Sequence, residues 1–509
     1  MSDPSHLRPR PRWLVTALLF TLFVAAVAVF YVFVASAGHM TAWPTWTAYY
    51  DNQAEGFRAG HLYTTVEASP ALKALADPLD LKNMRFWRWD YSYYQGHIYL
   101  YWGLLPPAIL AAVKVLFRIR HSVADDPLVF GFLMLQAIAG GLLVRAMAQR
   151  LVPRPPSWSI ALAMALVALA HPTPFLLARP GVYEGAIVGG SCFVVLALAC
   201  IFQSLFAARP AAGLRWLMLG SLCAGFAGAS RVNLLPAAAA TMTAAALGRW
   251  RADGGGWRRL ARLAPLAAAP VTLVTFGHLL LNKLRFGAWG EFGQTYQMGF
   301  RWFPFGGRFL PANLFVYLFR PATRSCQFPY LTAEWGSPPD LFPGWLPVDG
   351  EYRVNEPTAG LFLLAPVLWF LLALPLAAAL GPFDRMTPGA LASSARWRWF
   401  LGVLAVAAAG TIAVPMLVGA GTMRYQGDFA PVLLLLALVG VWAWLEAART
   451  RRRPARLVAV AVVGLLSAGT LVAGPLFGFT GYFKNFERHN PALMQVLQAR
   501  LSLCGKDKP

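Results

Sequence analysis

Uncharged apolar runs recur along this chain at the length that a lipid bilayer demands. The first extends from residue 13 to 36 without a charged side chain, and comparable runs follow as far as residue 479. A helix of about 20 apolar residues crosses a hydrocarbon core of about 30 Å. With 58% apolar and only 13% charged residues in 509 positions, the chain lacks the polar surface of a soluble protein. We therefore predict an all-α polytopic membrane protein.

Hydropathy predicts about eleven transmembrane helices, joined by juxtamembrane helices and loops into a single membrane domain over 1–509. The predicted spans are 13–36, 128–148, 157–174, 185–207, 213–230, 232–248, 259–282, 357–380, 397–420, 427–446 and 455–479.

Two Arg-rich loops, 248–262 and 446–456, orient these spans. Short loops rich in Lys and Arg remain in the cytoplasm, so the N-terminus is predicted to be cytoplasmic. Two large segments, 37–127 and 283–356, then lie on the outer face together with the tail 480–509. Both large segments are rich in Trp, Tyr, Pro and Gly, which suits interfacial helices and ordered loops.

One apolar stretch, 101–117, does not fit this count. If it crossed the membrane, the basic loop 145–156 would lie outside, against the positive-inside rule. The stretch is short, contains Pro106 and Pro107, and Lys114 lies near its end. It is interpreted as a juxtamembrane or re-entrant helix.

The formal charge of +22 would indicate nucleic acid in a soluble protein. Here the basic residues lie in short loops between apolar runs, which is typical of membrane orientation and of attraction to anionic lipids. No zinc-type cysteine pair or glycine-rich phosphate loop accompanies them. Nucleic acid is therefore not expected as a partner.

The five cysteines divide into two groups. Cys192, Cys200 and Cys223 fall inside apolar runs, where cysteine behaves as a small hydrophobic residue. Cys326 and Cys504 fall in polar segments, and the sequence leaves open whether they form a disulfide.

Charged side chains near membrane depth gather on the predicted outer face. Each one costs several kcal/mol in a bilayer unless it has a partner, a cavity or a function. Taken singly, each is explained by snorkelling or by a structural ion pair, but their shared placement favours a cavity that holds acids and arginines together. The members are Asp51 and Glu55, Arg179 and Glu184, Arg231 and Asn233, and Arg424 and Asp428.

Asp51 and Glu55 can be explained by structural roles as well as by functional ones. Asp51 is a candidate N-cap for a helix beginning at Asn52, and Glu55 lies one turn later on the same face. Two close carboxylates raise one pKa, which suits either a general base or a metal site. His61 is either a ligand or a turn residue, and the turn is favoured.

Several segments resemble the GT-C superfamily of membrane glycosyltransferases, which includes oligosaccharyltransferases, protein mannosyltransferases and aminoarabinose transferases. The resemblance covers most of the chain, in order. It is carried by DNQAEGFRAGHLY (51–63), YYQGHIYLYWGLLPPAIL (93–110), ARPGVYEGA (178–186), GFAGASRVNLL (225–235), LLNKLRFGAWGEFGQTY (280–296) and RYQGDFAPVLLLLA (424–437).

The resemblance implies inverting transfer of a hexosyl or pentosyl group from a polyprenyl-phosphate donor to an acceptor hydroxyl. It implies Asp51 as the general base and Glu184 as a second acid that orients the acceptor or binds a metal. Arg231, Arg424 and Arg179 would bind the lipid phosphate.

The remaining implied roles are supporting ones. Asp428 would hold Arg424 in place, and Glu55, His61 and Asn233 would support the site. Many members carry a pair of acids where this chain has Asp51 followed by Asn52, so both Mg²⁺ or Mn²⁺ dependence and metal independence stay open.

The implied location is a bacterial inner membrane with the active site on its outer face. The acceptor is a glycan, a lipid or a protein. Two rival functions use the same residues: a lipid or polysaccharide transporter that grips a phosphate, and a non-catalytic subunit that keeps the fold. The transporter requires a polar path through the bilayer, and the spans offer little beyond Gln136, His278 and some Ser and Thr.

Overall fold

Long apolar stretches fold into helices wherever the sequence lacks a breaker, because a helix satisfies its own backbone in lipid. The computed structural model describes residues 12–44, 47–151, 154–299, 303–333, 342–354, 356–375, 390–449 and 451–504. In chain order, the α-helices are α1 Arg12–Ala35, α2 Tyr49–Arg58, α3 Pro70–Lys73, α4 Leu105–Leu116, α5 Asp125–Arg150, α6 Ser157–Leu169, α7 Thr173–Leu177, α8 Val182–Phe206, α9 Pro210–Ser230, α10 Leu235–Ala252, α11 Trp257–Phe286, α12 Leu310–Leu314, α13 Leu361–Leu364, α14 Ala390–Leu417, α15 Gln426–Arg449, α16 Arg453–Thr480, α17 Asn485–His489 and α18 Pro491–Leu501.

Nine segments in the described part of the chain are long and apolar enough to cross a membrane, so the polytopic helical fold is confirmed. The count of eleven is not confirmed. One predicted span forms α10, which is not among the nine. The other, 357–380, lies partly outside the described residues; its described part breaks into α13 and a 3₁₀ helix, Pro366–Ala373. Pro366 explains the break, since a proline disfavours helical backbone in the residue before it.

The apolar stretch 101–117 forms only the 12-residue helix α4. At 1.5 Å per residue this helix is about 18 Å long, which is too short to cross a bilayer. The interpretation as a juxtamembrane helix agrees with this length.

The two large loop segments contain short strands that hydropathy does not predict. They are β1 Tyr91–Tyr94, β2 His97–Tyr99, β3 Gln297–Met298, β4 Thr323–Arg324, β5 Leu331–Thr332 and β6 Arg353–Val354; a further strand, β7 Ala420–Gly421, lies between α14 and α15. β1 pairs antiparallel with both β2 and β3, with Tyr91 opposite Met298, so one small sheet joins the two segments. β6 pairs parallel with β7, which carries the second segment to the start of α15.

Glycines let the helices of the bundle approach closely. A Cβ on Gly440 of α15 would lie 2.0 Å from the carbonyl oxygen of Phe370, and one on Gly474 of α16 would lie 2.2 Å from that of Leu169. Small residues at such crossings are typical of packed membrane helices.

Polar side chains in the middle of the bundle satisfy one another. Ser191 donates to Gln136 at 2.7 Å, and a ring nitrogen of His171 lies 2.7 Å from the amide oxygen of Gln426. Such pairs are those expected of structural polar groups in a bilayer.

The tail returns to the end of the bundle where α1 and α16 end. There it forms the two short helices α17 and α18. A disulfide joins Cys326 to Cys504, which ties the tail to the second large segment. Cys192, Cys200 and Cys223 are free and buried in the bundle, as their apolar surroundings predict.

Candidate active site

Arg424 is the centre of a charged network at the end of the bundle where α8 and α15 begin. It lies in a 3₁₀ turn, Met423–Tyr425, that leads from β7 into α15. Its Nη2 lies 2.8 Å from Glu356 Oε1, and its Nη1 lies 4.0 Å from Glu184 Oε1. The guanidinium stacks on the ring of Tyr183 at 3.8 Å, a cation–π geometry. Nε and Nη1 have no hydrogen-bond partner among the described residues, so the fork keeps free donors.

Glu356 holds Arg424 from the second large segment. Its carboxylate also accepts hydrogen bonds from the hydroxyls of Thr422 and Tyr482. Burial, reinforced by the nearby Glu356 carboxylate, raises the pKa of Tyr482 well above its ordinary value. Tyr482 therefore remains protonated and donates to Glu356.

Glu184 lies in the first turn of α8 and is fully buried. Neither carboxylate oxygen accepts a hydrogen bond from any described residue. A Cβ on Gly181 would lie 3.3 Å from Glu184 Oε2, so the absence of a side chain there leaves space at the carboxylate. An unsatisfied buried carboxylate beside an arginine is unusual and points to a ligand or a function.

Asp90 is a carboxylate that the sequence did not single out. It precedes β1 with a φ of 64°, a conformation that non-glycine residues seldom adopt. Its Oδ1 accepts a hydrogen bond from Tyr183, the same ring on which Arg424 stacks. Burial raises the pKa of Asp90, while the Tyr183 hydroxyl and the charges of Arg424 and Arg179 oppose the rise. Asp90 is only partly buried, so solvent and ligands can reach it.

Arg179 is a second cation of the same network. Its guanidinium lies over the rings of Tyr482 and Phe483, at 5.5 and 5.6 Å. It forms no ion pair with any carboxylate in the described part of the chain, so its charge is available to a ligand.

Arg231 and Asp428 form a neighbouring ion pair. Arg231 Nε lies 2.6 Å from Asp428 Oδ1, and Asn233 donates to the other oxygen at 3.1 Å. Arg231 also stacks on Tyr425 at 4.9 Å, which links the pair to the turn that carries Arg424. The expectation that Asp428 holds Arg424 is thus wrong, since Arg231 takes that carboxylate. Arg424 lies in the turn before α15, so the two side chains do not share a helical face.

Asp51 and Glu55 share a face of α2, as predicted, and both face Lys114 of α4. Lys114 Nζ lies 2.5 Å from each carboxylate. Ser122 donates to the second oxygen of Asp51 at 2.9 Å, and Arg58 binds Glu55 at 2.6 Å. Burial favours a high pKa for Glu55, but the hydrogen bonds from Lys114 and Arg58 outweigh it and lower the pKa. At Glu55 the raised pKa expected of two close carboxylates is therefore not found, because the Lys114 ammonium lies between the two acids.

The helix cap predicted for Asp51 belongs to Asp125. Helix α2 begins at Tyr49 rather than Asn52, and Asp125 accepts hydrogen bonds from the backbone amides of Tyr49 and Tyr50 at 3.2 and 3.1 Å. This cap comes from α5, which is distant in sequence, so local spacing could not reveal it. His61 follows the end of α2 as an exposed residue stacked on Tyr63, which agrees with the turn reading.

No group of three or more His, Cys, Asp or Glu side chains in the described ranges is arranged to hold a metal ion. The acids predicted as ligands do not fit a divalent cation, because Lys114 engages Asp51 and arginines lie beside Glu184 and Glu356.

The structure thus divides the predicted residues into three groups and one outlier. Glu184, Arg424 and Arg179 share one network; Arg231, Asp428 and Asn233 share its neighbour; Asp51 and Glu55 share Lys114. His61 stands apart. The sequence analysis did not identify four residues of the network: Asp90, Glu356, Tyr183 and Tyr482. Only Tyr183, next to Glu184, lies in one of the short motifs that carry the family resemblance.

No protein-family model and no curated protein sequence matches this chain. Among solved structures, the chain is similar to the oligosaccharyltransferase of Archaeoglobus fulgidus in its apo form, with 13% identity and a TM-score of 0.48 over 91% of this chain and 56% of that chain. It is also similar to the same organism's oligosaccharyltransferase AglB in complex with an inhibitory peptide and a dolichol-phosphate, with 12% identity and a TM-score of 0.47 over 92% and 56% of the two chains. A third likeness is to ArnT from Cupriavidus metallidurans bound to undecaprenyl phosphate, with 13% identity and a TM-score of 0.43 over 95% and 77%.

Oligosaccharyltransferases are among the proteins that the sequence resemblance named. The chain spans little more than half of the length of the oligosaccharyltransferase chains.

Proposed function

We propose that this protein is an inverting glycosyltransferase that moves a sugar from a polyprenyl-phosphate donor to an acceptor hydroxyl. The observation that carries the proposal is the network around Arg424. It combines a guanidinium with free donors, a second unpaired arginine and a partly accessible carboxylate at one end of a membrane bundle. These are the groups that the reaction requires: positive charge for a departing phosphate and a base for a hydroxyl proton.

The arginines supply the phosphate site. The guanidinium fork of Arg424 suits bidentate binding of phosphate oxygens, and Glu356, together with the ring of Tyr183, fixes its orientation. Arg179 adds a charge that forms no ion pair with a described carboxylate. Arg231 lies at the same end of the bundle, where its charge is paired with Asp428.

Asp90 is the carboxylate best suited to act as the base. It is partly accessible, its pKa is raised, and Tyr183 connects it to Arg424. Asp51, the base that the resemblance implies, has both oxygens occupied, one by Lys114 and one by Ser122. A carboxylate engaged in this way is a poor proton acceptor. Glu184 is wholly buried beside Arg424 and is proposed as a positioning residue.

The proposed reaction is a single displacement at the anomeric carbon of the sugar. The acceptor oxygen forms a bond to the anomeric carbon as the bond from that carbon to the phosphate oxygen breaks. The polyprenyl phosphate departs with the electron pair and is held by Arg424 and Arg179. Asp90 takes the proton of the acceptor hydroxyl.

The network is proposed to face the outer side of a bacterial inner membrane. The Arg-rich loops lie at the opposite end of the helices, and such loops remain in the cytoplasm. The Cys326–Cys504 disulfide lies at the network's end of the bundle, and disulfides persist in oxidising compartments. The transferred group is a hexose or pentose, and the acceptor is a glycan, a lipid or a protein.

The test uses purified protein in nanodiscs, a panel of polyprenyl-phosphate sugars and measurement of released polyprenyl phosphate. Asp90→Asn is compared with Asp51→Asn, with Glu184→Gln and with Asp77→Asn, an exposed control whose turn an asparagine can still support. Loss of a general base lowers turnover by roughly 10²–10⁴-fold. We expect that loss in Asp90→Asn and unchanged turnover in the control.

The alternatives give distinct outcomes. Loss in Asp51→Asn with a folded protein and full activity in Asp90→Asn would return the base to Asp51. If every donor binds but none is consumed, a transporter or a non-catalytic subunit explains the network better and the proposed transfer reaction is wrong.

A further inference from the structure

A cavity opens at the other end of the bundle, between the start of α6, the end of α15 and the start of α16. Its volume is about 310 Å³. Ligand pockets in proteins run to roughly 300–1,000 Å³, so the cavity is large enough for a polar headgroup. This end carries the Arg-rich loops and is remote from Arg424.

The cavity is positively charged. Arg154, Arg449 and Arg456 line it together with a single acid, Glu446. Glu446 lies 3.5 Å from Arg449 and offsets that charge. Arg154 and Arg456 form no ion pair with a carboxylate of the described residues, so two guanidiniums remain without a counter-ion.

Trp442 of α15 also lines the cavity and is 4% exposed. Its indole Nε1 is closed off from solvent, so the ring presents an apolar surface to the cavity.

The walls are those of a lipid site. Val439, Ala443 and Val460 make part of the lining apolar. Trp158 of α6, at 44% exposure, is placed where interfacial tryptophans of membrane helices lie. Ligand atoms near the arginines would thus be polar, and those beside the helices would be apolar.

We infer that this cavity binds the headgroup of an anionic phospholipid. The phosphate oxygens face Arg154 and Arg456, and the acyl chains leave along α15 and α16. Basic pockets between membrane helices on the cytoplasmic side are suited to such headgroups. The site is separate from the donor site and does not depend on the transfer reaction.

The test is native mass spectrometry of the detergent-purified full chain during titration with phosphatidylglycerol and, separately, phosphatidylcholine. The test variant is Arg154→Gln with Arg456→Gln. Its matched control is Arg258→Gln with Arg259→Gln, which removes the same charge from exposed positions at the start of α11. Because the test variant removes the two guanidiniums of the cavity that lack a counter-ion, we expect phosphatidylglycerol to bind it on the order of tenfold more weakly. The control should bind it as the wild type does.

Equal loss in both arginine variants would mean diffuse surface attraction and would overturn the inference, as would equal binding of phosphatidylcholine. Displacement of the lipid by millimolar inorganic phosphate would assign the cavity to a free anion instead.

Discussion

The ammonium of Lys114 lies 2.5 Å from the carboxylate of Asp51, and both side chains are almost wholly buried. This pair fixes α4 against α2, since the same ammonium also binds Glu55. Removing one partner of a buried pair costs about 3–5 kcal/mol, because the other charge is left uncompensated. Lys114→Met should therefore lower the unfolding temperature in detergent substantially.

The exposed Lys73→Met serves as the control and should leave the unfolding temperature unchanged. Adding Asp51→Asn to Lys114→Met should recover part of the lost stability, because the stranded charge disappears. A double variant that is less stable than Lys114→Met would contradict the ion-pair account.

Arg424→Lys tests the geometry of the proposed phosphate site at constant charge. Lysine cannot reproduce the planar fork that meets Glu356 and stacks on Tyr183. We expect turnover to fall on the order of 100-fold, as it does when a preorganised electrostatic donor is removed. Arg308→Lys, at an exposed ion pair, should retain full activity. Similar effects of the two substitutions would argue against a special role for Arg424.

The raised pKa of Asp90 predicts how activity depends on pH. A base must be ionised, so kcat/KM should fall as pH drops through the folded-state pKa, at a pH above the ordinary Asp value of about 3.9. This acidic limb should vanish in Asp90→Asn. It should persist, at reduced rate, in Arg424→Lys.

The contribution of Asp90 to folding stability should fall as pH rises, whereas kcat/KM should increase. Because folding raises the pKa of this acid, its contribution to stability is fully present below the unfolded pKa and is lost as pH rises through the folded pKa. As pH rises from the unfolded pKa to the folded pKa, the wild type should therefore lose stability relative to Asp90→Asn. Unfolding temperatures of both proteins across the acidic range test this; a wild type that gains stability relative to the variant would contradict it.

Gly103 tests how closely α4 must approach the end of α9. A Cβ at this position would lie 1.9 Å from the carbonyl oxygen of Ser230, the residue before Arg231. Gly103→Ala should cost about 1–3 kcal/mol and should lower turnover by displacing Arg231. Gly131→Ala is the matched control, since a Cβ there meets nothing within 4 Å. Comparable destabilisation in both variants would show that the close contact is unimportant.

The Cys326–Cys504 disulfide should hold the tail against the bundle. Replacing both cysteines with serine should cost a few kcal/mol, on the order of 2–5, and should do so locally. Hydrogen exchange in α17 and α18 should then accelerate, while exchange in α8 stays slow. Unchanged protection of the tail would mean that packing around Phe328 and Phe486 is sufficient without the bond.

The spans were predictable because bilayer thickness sets their length locally. The apolar runs that became α5, α8 and α16 needed no knowledge of the rest of the chain. The 357–380 run has the required hydropathy, yet Pro366 divides its described part, and a window average is insensitive to one residue.

The side-chain partners were not predictable, because they depend on tertiary contacts. Asp428 was expected to pair with Arg424, four residues before it. In the structure Asp428 instead binds Arg231, which is far away in the chain. Asp90 and Glu356 lie in long loops without periodicity, so nothing local distinguished them. The positive φ of Asp90 is a backbone property that no residue pattern there announced.

One short segment, residues 423–428, completes two charge pairs at once: Arg424 approaches Glu184, and Asp428 binds Arg231. Both earlier partners enter the membrane long before this segment is synthesised, since translation proceeds at about 5–20 residues per second. During that interval Arg231 lacks the carboxylate that it binds, and Glu184 has only Arg179 to oppose its charge, which is costly at membrane depth. A chain that stalls before residue 423 would leave Arg231 without its partner and Glu184 without Arg424. We therefore expect the segments made last to decide whether a newly synthesised molecule is retained or degraded.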